Sequence, residues 1–180
     1  FLMPAPHIDP TPWACVACDQ YTSQPEYWQK AEAIAGSGPS ALHLVLPEVY
    51  LAEAETRVPQ IHQAMRAALA TGVLTEGVAD GFVLVERLTE SGTHVGLLTL
   101  IDLEGYDYRA GSQTAARATE GTILSRIPPR LMVRRGAALE LSHVLLLIDD
   151  PQETVVEPLF DRREHLRKLY DFPLMLGGGH

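Results

Sequence analysis

Six arginines and no lysine lie in the stretch 109–135 of a chain of 180 residues whose formal net charge is −9. Glu120 is the only acid in that stretch, so six cations against one anion leave it with a formal charge of +5. A guanidinium is a planar fork of donors that binds phosphate or carboxylate in a bidentate way and stays charged near neutral pH. The stretch therefore predicts an anion-binding site, with Arg117, Arg126 and Arg130 as the contacts and a small anionic molecule as the ligand.

The spacing of the arginines suggests how they are presented. Arg126, Arg130 and Arg134 are four residues apart, so Arg130 and Arg134 share a face of the helix that Pro128-Pro129 is expected to start. A cation in a first turn opposes the helix dipole, whereas an anion docked there would meet free N–H groups and a guanidinium together. The alternative is that these arginines form ion pairs with acidic residues elsewhere in the chain.

Acid/base and metal candidates follow directly downstream. Glu120 and Glu140 could orient the arginines, and His143 with Glu140 and Arg130 could handle a proton, although a single histidine at the start of a strand is more often structural. Asp149-Asp150 follows an apolar run, where adjacent carboxylates could hold Mg²⁺ beside a phosphate. Asp150 also fits a helix cap before Pro151, so Asp149 is the metal candidate.

Other chemistries are excluded or disfavoured by the sequence. Cys15 and Cys18 have C-x-x-C spacing but no second pair for zinc, and their apolar surroundings favour two buried thiols over a redox motif. Ser142-His143 lacks the G-x-S-x-G signature of a hydrolase. The acidic balance argues against nucleic-acid and membrane-surface partners. With two cysteines, no apparent signal peptide and no run near the roughly 20 apolar residues of a membrane span, the expected location is the cytoplasm.

Hydrophobic periodicity predicts a mixture of helices and strands. We expect helices from Pro25 to about residue 35, over 58–69, from Pro128 to about Leu139 and over most of 151–169, and strands at 13–18, 42–46 and 144–148. The runs 82–88 and 94–103 predict a hairpin. The expected fold is α/β or α+β, with a mixed sheet and a central hairpin flanked by helices. One domain is expected over 1–176, followed by a truncated glycine linker at 177–180.

Several long motifs resemble one family. They are Cys18-Asp19-Gln20-Tyr21-Thr22-Ser23-Gln24-Pro25-Glu26-Tyr27-Trp28, Pro47-Glu48-Val49-Tyr50-Leu51, Arg117-Ala118-Thr119-Glu120-Gly121-Thr122, Arg126-Ile127-Pro128-Pro129-Arg130, Leu139-Glu140-Leu141-Ser142-His143 and Leu147-Ile148-Asp149-Asp150-Pro151. Together they resemble the bacterial and archaeal family named domain of unknown function 1015, over nearly the whole chain.

The resemblance implies more than the residues do. Family members are longer, and they continue into an Asp-Gly motif similar to one in the ParB/sulfiredoxin-like superfamily, which includes nucleotide-dependent free serine kinases. By that similarity the chain is an N-terminal portion whose partner is the missing C-terminal part. It would have no cofactor of its own, and the full-length protein would use a nucleotide and Mg²⁺ to transfer phosphoryl groups to or from a small metabolite such as serine. Asp19 or His143 would carry a proton. The alternative is a non-catalytic binding or regulatory domain whose arginines form internal ion pairs or an interface.

Overall fold

The computed structural model describes residues 1–118, 121–141 and 143–180. The regular elements are β1 (Leu2–Pro4), α1 (Pro10–Trp13), α2 (Pro25–Ala35), α3 (Ala54–Ala70), β2 (Leu74–Glu76), β3 (Val83–Thr89), β4 (Gly92–Leu98), α4 (Ile127–Arg134) and α5 (Glu157–Asp161). Short 3₁₀ turns lie at Ala41–Leu44, Glu48–Glu53, Leu103–Gly105, Leu124–Arg126, Arg163–His165 and Met175–Gly177. The predicted combination of helices and strands is confirmed.

The two long helices build the core. α2 starts at Pro25, whose fixed φ suits a first turn, and ends at Gly36, whose φ of 54° lies in the left-handed region that favours glycine. Both predicted helices in this part of the chain are confirmed, and α3 is longer than expected by about one turn at its start. α3 buries one face with apolar side chains at spacings of three and four residues, namely Val58, Ile61, Met65 and Ala68.

The centre of the core is Trp28 of α2, which has no exposed surface, packed in one cluster with Met65 of α3. Burying a side chain of this size stabilises the fold by roughly 1.5–3 kcal/mol or more. The indole N–H would be costly to bury without a partner, and it donates to the carbonyl of Gln20 at 3.2 Å. That bond also ties the loop before α2 to the core.

The predicted hairpin is confirmed. β3 and β4 pair antiparallel, from Val83 opposite Leu98 to Thr89 opposite Gly92, which leaves a two-residue turn. β1 pairs antiparallel with β2. Within the described ranges the strands form these two separate pairs and not one mixed sheet.

Two of the strands predicted for that sheet have other conformations. In place of the strand predicted at 13–18, α1 occupies 10–13 and residues 14–17 are irregular. In place of the strand predicted at 42–46, a 3₁₀ turn begins after Ser40, which caps it: the Ser40 Oγ accepts from the Leu42 N–H at 3.2 Å. Leu42 and Leu44 are nevertheless both buried, so the alternation that predicted the strand reflects burial of a tight turn.

The C-terminal half departs further from the predictions. The run 144–148 forms no strand among the described residues and is exposed, so the prediction of a buried strand is wrong. α4 ends well before Leu139, because Gly136 adopts a φ of 89°. The helix predicted over 151–169 reduces to α5 and one 3₁₀ turn. Asp150 does not cap a helix at Pro151, because its carboxylate accepts from the Thr154 and Val155 N–H groups and closes a local turn.

The glycine residues at the C-terminal end lie against the hairpin. Leu88 and His180 exchange both backbone hydrogen bonds, at 2.8 and 2.9 Å, and the Arg87 guanidinium donates twice to the Gly178 carbonyl. Met175 is buried in the core beside α2. Gly179 has a φ of 101°, and a Cβ there would overlap the Leu88 carbonyl, so this close approach requires glycine.

Candidate anion-binding site

Two arginines of the basic stretch converge on one buried carboxylate. Arg126 Nη2 lies 2.5 Å from Glu48 Oε1, and Arg130 Nη2 donates to Glu48 Oε2 at 2.9 Å. The Glu48 side chain is 7% exposed, whereas the arginine side chains are 41% and 42% exposed. The carboxylate therefore lies beneath two guanidiniums that still face solvent. We call these three residues the Arg126–Glu48–Arg130 cluster.

The backbone around Glu48 fixes the position of its side chain. Glu48 starts a 3₁₀ turn directly after Pro47, and its N–H donates to the Cys18 carbonyl at 2.7 Å. That bond places Asp19 one residue along the chain from the contact with Glu48. The predicted proton carrier Asp19 is exposed, and it follows the residue whose carbonyl accepts from the Glu48 N–H.

The other end of the same 3₁₀ turn is also held by an arginine. Arg57 donates to Glu53 at 2.7 Å and to Glu32 of α2 at 3.0 Å, and its guanidinium lies 3.7 Å from the centroid of the Tyr50 ring. Burial and the nearby Glu32 raise the pKa of Tyr50 above its usual value. The segment that carries Glu48 is thus tied to both long helices.

The two arginines reach Glu48 because of their spacing. Arg126 ends the 3₁₀ turn before α4, and Arg130 lies four residues later, which brings both side chains to the same side. α4 is held against α3 by His62, whose Nε2 lies 2.7 Å from the Val133 carbonyl and must therefore donate to it. The cluster is positioned by a helix–helix contact as well as by its own ion pairs.

The start of α4 offers fewer N–H donors than its sequence position suggests. Pro128 and Pro129 have none, and the Ile127 N–H already donates to the Leu124 carbonyl. The expected combination of free helix N–H groups with a guanidinium is therefore not formed. An anion at this site would be bound by the arginine side chains.

The electrostatics of the cluster leave it positive. One carboxylate offsets one of two guanidiniums, so the three side chains carry a net charge of about +1, and most of the ten N–H donors of the arginines lie outside the two contacts with Glu48. Glu48 also reduces the repulsion between the two guanidiniums and holds them side by side. Such an arrangement can accept a phosphate or carboxylate group from the solvent side.

The other predicted site residues do not join this cluster in the described contacts. Glu140 pairs with Arg134 at 3.0 Å, and both side chains are more than half exposed. Arg130 pairs with Glu48, so the predicted cluster of His143, Glu140 and Arg130 is not formed, and His143 is exposed. Glu120 lies outside the described residues.

The predicted metal ligand is exposed. Asp149 lies at the end of the unpaired apolar run. Across ranges 1–118, 121–141 and 143–180, no group of three or more histidine, cysteine, aspartate or glutamate residues could hold a metal ion. The assignment of Asp149 to a metal stays a prediction.

Arg117 lines a different feature. With Arg109 it borders an open depression of about 560 Å³ in the loop 107–118. Arg109 is itself paired with Asp107, donating to its carboxylate at 2.7 to 3.0 Å, and these hydrogen bonds lower the pKa of Asp107. The structure thus brings together two of the three predicted anion contacts and places the third in an exposed loop.

The sequence did not identify Glu48 as a site residue. Glu48 is separated from Arg130 by 82 positions, and its spacing to neighbouring residues marks no chemistry. The sequence signal that could have identified Glu48 was its place in the short family motif Pro47-Glu48-Val49-Tyr50-Leu51. The arginines lie in a second family motif, at 126–130. Nothing in the sequence indicates that the acid of the first motif pairs with the arginines of the second.

None of the helices in the described part of the chain is both long enough and apolar enough to cross a bilayer. The fold and the cluster define a mixed α/β domain with a paired-arginine cluster. The chain belongs to the family described as protein of unknown function (DUF1015), whose model matches residues 2–180. The comparison with curated proteins found no match. The comparison with solved structures also found none.

Proposed function

We propose that the Arg126–Glu48–Arg130 cluster binds the phosphate group of a small metabolite. The observation that carries the proposal is that two half-exposed guanidiniums share one buried carboxylate, which leaves a net positive charge facing solvent. If the only role of Glu48 were to neutralise a buried arginine, one carboxylate would pair with one guanidinium. The second arginine is therefore in excess, and its charge is available to a ligand.

Glu48 acts in this proposal as a positioning residue. Two arginines side by side repel each other, and each loses side-chain entropy when it is held in one geometry. Their shared contact with Glu48 offsets both costs before any ligand arrives, so a phosphate would meet preorganised donors. Its two to three peripheral oxygens could then accept from both guanidiniums at once.

The reaction class that we propose for the intact protein is phosphoryl transfer. The γ-phosphoryl group of a nucleotide would pass to a metabolite hydroxyl such as that of serine, whose proton leaves to a base, yielding a phosphomonoester and a nucleoside diphosphate. The arginines would stabilise charge on the transferred group, which is the largest need of such reactions. Asp19, the residue after the carbonyl that Glu48 contacts, is the candidate base. The phosphate groups of the nucleotide would bind to the two arginines. No group of three or more histidine, cysteine, aspartate or glutamate residues in the described part of the chain could hold a metal ion, so we propose no metal ligand here.

Phosphate binding can be measured by thermal shift with inorganic phosphate and with pyrophosphate. Wild type is expected to gain melting temperature as either anion is added, and Arg126→Ala and Arg130→Ala to lose most of that gain. Arg134→Ala is the matched control, because Arg134 pairs with the exposed Glu140 and should leave the gain unchanged. An equal gain in Arg130→Ala and in wild type would exclude the cluster as the phosphate site.

A second candidate is a non-catalytic domain in which the arginines only fix α4. The pairing of Arg126 and Arg130 with Glu48, and of Arg134 with Glu140, favours it. Glu48→Gln separates the two. If the cluster binds anions, phosphate stabilises wild type, and Glu48→Gln weakens that binding because the two guanidiniums are no longer held side by side by a shared carboxylate. If the arginines are purely structural, Glu48→Gln lowers the melting temperature and phosphate has no effect in either protein.

Catalysis is tested separately on the full-length gene product. We expect that product to turn over a nucleotide in the presence of one of a panel of hydroxyl-bearing metabolites. The rate should fall by at least tenfold in Arg130→Ala. The 180-residue chain should show no turnover. Phosphate binding without turnover would retain the binding site and reject phosphoryl transfer. Turnover by the 180-residue chain would contradict the need for a further part of the protein.

A further inference from the structure

Two tyrosine rings, one in the loop before α2 and one inside that helix, stack on each other. The ring centroids of Tyr21 and Tyr27 are 3.9 Å apart, and the ring planes differ by 10°. Tyr27 also meets the buried Trp28 edge to face and packs against the hydrophobic core. Tyr21 is 41% exposed, and since one face of its ring lies on Tyr27, its other face is the one open to solvent. We call Tyr21 and Tyr27 the tyrosine stack.

The backbone of Tyr21 is fixed in a conformation that tyrosine rarely adopts. Its φ of 52° lies in the left-handed region that favours glycine and asparagine. The Gln20 carbonyl accepts from the Trp28 indole N–H at 3.2 Å, and the Tyr21 carbonyl accepts from the Gln24 N–H at 3.1 Å. The peptide groups on both sides of Tyr21 are therefore held in place, which orients the exposed ring.

A structural role alone accounts for Tyr27 but not for Tyr21. Tyr27 is half-buried against the core, whereas Tyr21 lies outside the core and is exposed. Glycine or asparagine would close the same turn with less strain. Strained residues of this kind cluster at ligand sites, where the surrounding structure holds them in position. The strain together with the exposed, rigidly stacked ring indicates a surface that binds a flat ligand.

The tyrosine stack and the Arg126–Glu48–Arg130 cluster are linked by one short loop. The Glu48 N–H donates to the Cys18 carbonyl at 2.7 Å, and Tyr21 follows Cys18 by three residues. Three residues of chain span at most about 11 Å, so the Cα atoms of Cys18 and Tyr21 are no further apart than that. One end of the loop thus contacts the residue that holds two guanidiniums, and the other end carries an aromatic surface. This arrangement suits a ligand with a flat ring and an anionic tail.

We propose that the tyrosine stack binds the base of a nucleotide whose phosphate groups bind to the Arg126–Glu48–Arg130 cluster. The inference rests on the phosphate site proposed above and adds the residues that recognise the base. Every nucleobase has a flat π-face that stacks on an aromatic side chain, and here the outer face of Tyr21 accepts it. Burial, followed by the neighbouring Tyr21, raises the pKa of Tyr27, so this phenol stays neutral and does not repel the phosphate groups.

The test measures the affinity of the 180-residue chain for ATP, GTP, UTP and inorganic tripolyphosphate by titration calorimetry. Tyr21→Leu keeps an apolar side chain on Tyr27 but removes the stacking face. We expect it to weaken binding of at least one nucleotide by at least fivefold, the lower end of what base–aromatic stacking contributes. Tripolyphosphate has no base, so its affinity should stay unchanged, which also shows that the variant is folded. Tyr21→Phe should bind every probe as wild type does.

A second measurement needs no substitution. In wild type, nuclear Overhauser contacts are expected between the base protons of the bound nucleotide and the ring protons of Tyr21. Contacts of the base with other aromatic rings and none with Tyr21 would overturn the proposal.

Tyr108→Leu is the matched control for the affinity measurements. Tyr108 is 82% exposed and makes only a tilted pair with Tyr106, at 37°, so its substitution should leave nucleotide affinity unchanged. Equal losses in Tyr108→Leu and Tyr21→Leu would overturn the assignment of the base to the tyrosine stack. So would nucleotide binding that Tyr21→Leu does not weaken, and tripolyphosphate binding that is lost in Arg130→Ala would then leave the phosphate site standing. Failure of every probe to bind wild type would reject both proposals.

Discussion

Glu48 accepts a hydrogen bond of 2.9 Å from Arg130, across a separation of 82 residues, and it is the most deeply buried partner in the ion pairs of the described residues. The contact joins the turn before α3 to the first turn of α4. Since Arg126 binds the other carboxylate oxygen, one acid fixes two cations. The positions of both arginines therefore depend on a residue far from them in sequence.

Glu48→Gln is expected to lower the free energy of unfolding by about 1–2 kcal/mol, because it removes a charge-assisted contact with two arginines that remain partly solvated. Denaturant unfolding with an unchanged m-value is the measurement. Glu140→Gln is the control. It breaks a pair in which both side chains are more than half exposed, and should cost less than about 0.5 kcal/mol. Equal losses in the two variants would contradict the central position of Glu48.

Gly179→Ala is expected to detach the C-terminal residues from β3. A Cβ at this position would overlap the Leu88 carbonyl, and the φ of 101° is strained for alanine, so the loss of stability should be about 1–2 kcal/mol. The amide of Leu88, which donates to the His180 carbonyl, should then exchange faster. Gly105→Ala meets nothing within 4 Å and serves as the control. Unchanged exchange at Leu88 in Gly179→Ala would count against this contact.

The attachment of His180 to Asp171 is expected to be lost in acid. A hydrogen bond from Lys168 and another from His180, each 2.5 Å long, lower the pKa of Asp171 to about 2. Because the folded pKa lies below the unfolded value of about 3.9, the contribution is present above pH 4 and is lost as the pH falls through 2. Carboxyl chemical shifts measured by NMR should give a midpoint near 2. The midpoint should move upward in Lys168→Met, and one near 4 in wild type would reject the pairing.

Cys15 is expected to react slowly with alkylating reagents. Burial, followed by the neighbouring Cys18, raises the pKa of the Cys15 thiol to about 11, so the reactive thiolate is scarce at neutral pH. Mass-spectrometric rates of iodoacetamide labelling at Cys15 should rise steadily from pH 8 to pH 10. In urea-unfolded protein, labelling should be at least tenfold faster at pH 8. A rate that levels off above about pH 9.5 in the folded protein would show that the thiol is not perturbed, because an ordinary cysteine with a pKa of about 8.5 is almost fully thiolate there.

The elements that sequence reasoning found are the ones that carry their own pattern. α3 repeats apolar residues at helical spacing and α2 has a proline at its start and a glycine at its end, so local rules place both. The hairpin is likewise marked by two β-rich runs and a short polar turn. The match of the family to residues 2–180 confirms the resemblance drawn from the motifs.

The errors fall where local pattern and tertiary environment disagree. The run 144–148 has the composition of a central strand, but it pairs with no strand in the part of the chain that the structure describes. Leu42–Leu46 alternates like a strand, and a cap from Ser40 turns it into a 3₁₀ segment. The helix expected over 151–169 gives way to a turn in which the Asp150 carboxylate takes the backbone donors of Thr154 and Val155.

The sequence by itself determined the two long helices α2 and α3, the hairpin, the family and the excess of arginine, because composition and short-range periodicity act through neighbouring residues. Only the tertiary structure decided which carboxylate meets those arginines. An ion pair is specified by distance in space, and Glu48 lies next to Arg126 and Arg130 in a fold in which α4 packs against α3. Burial of that one acid then converts a charged stretch of sequence into a positioned pair of cations.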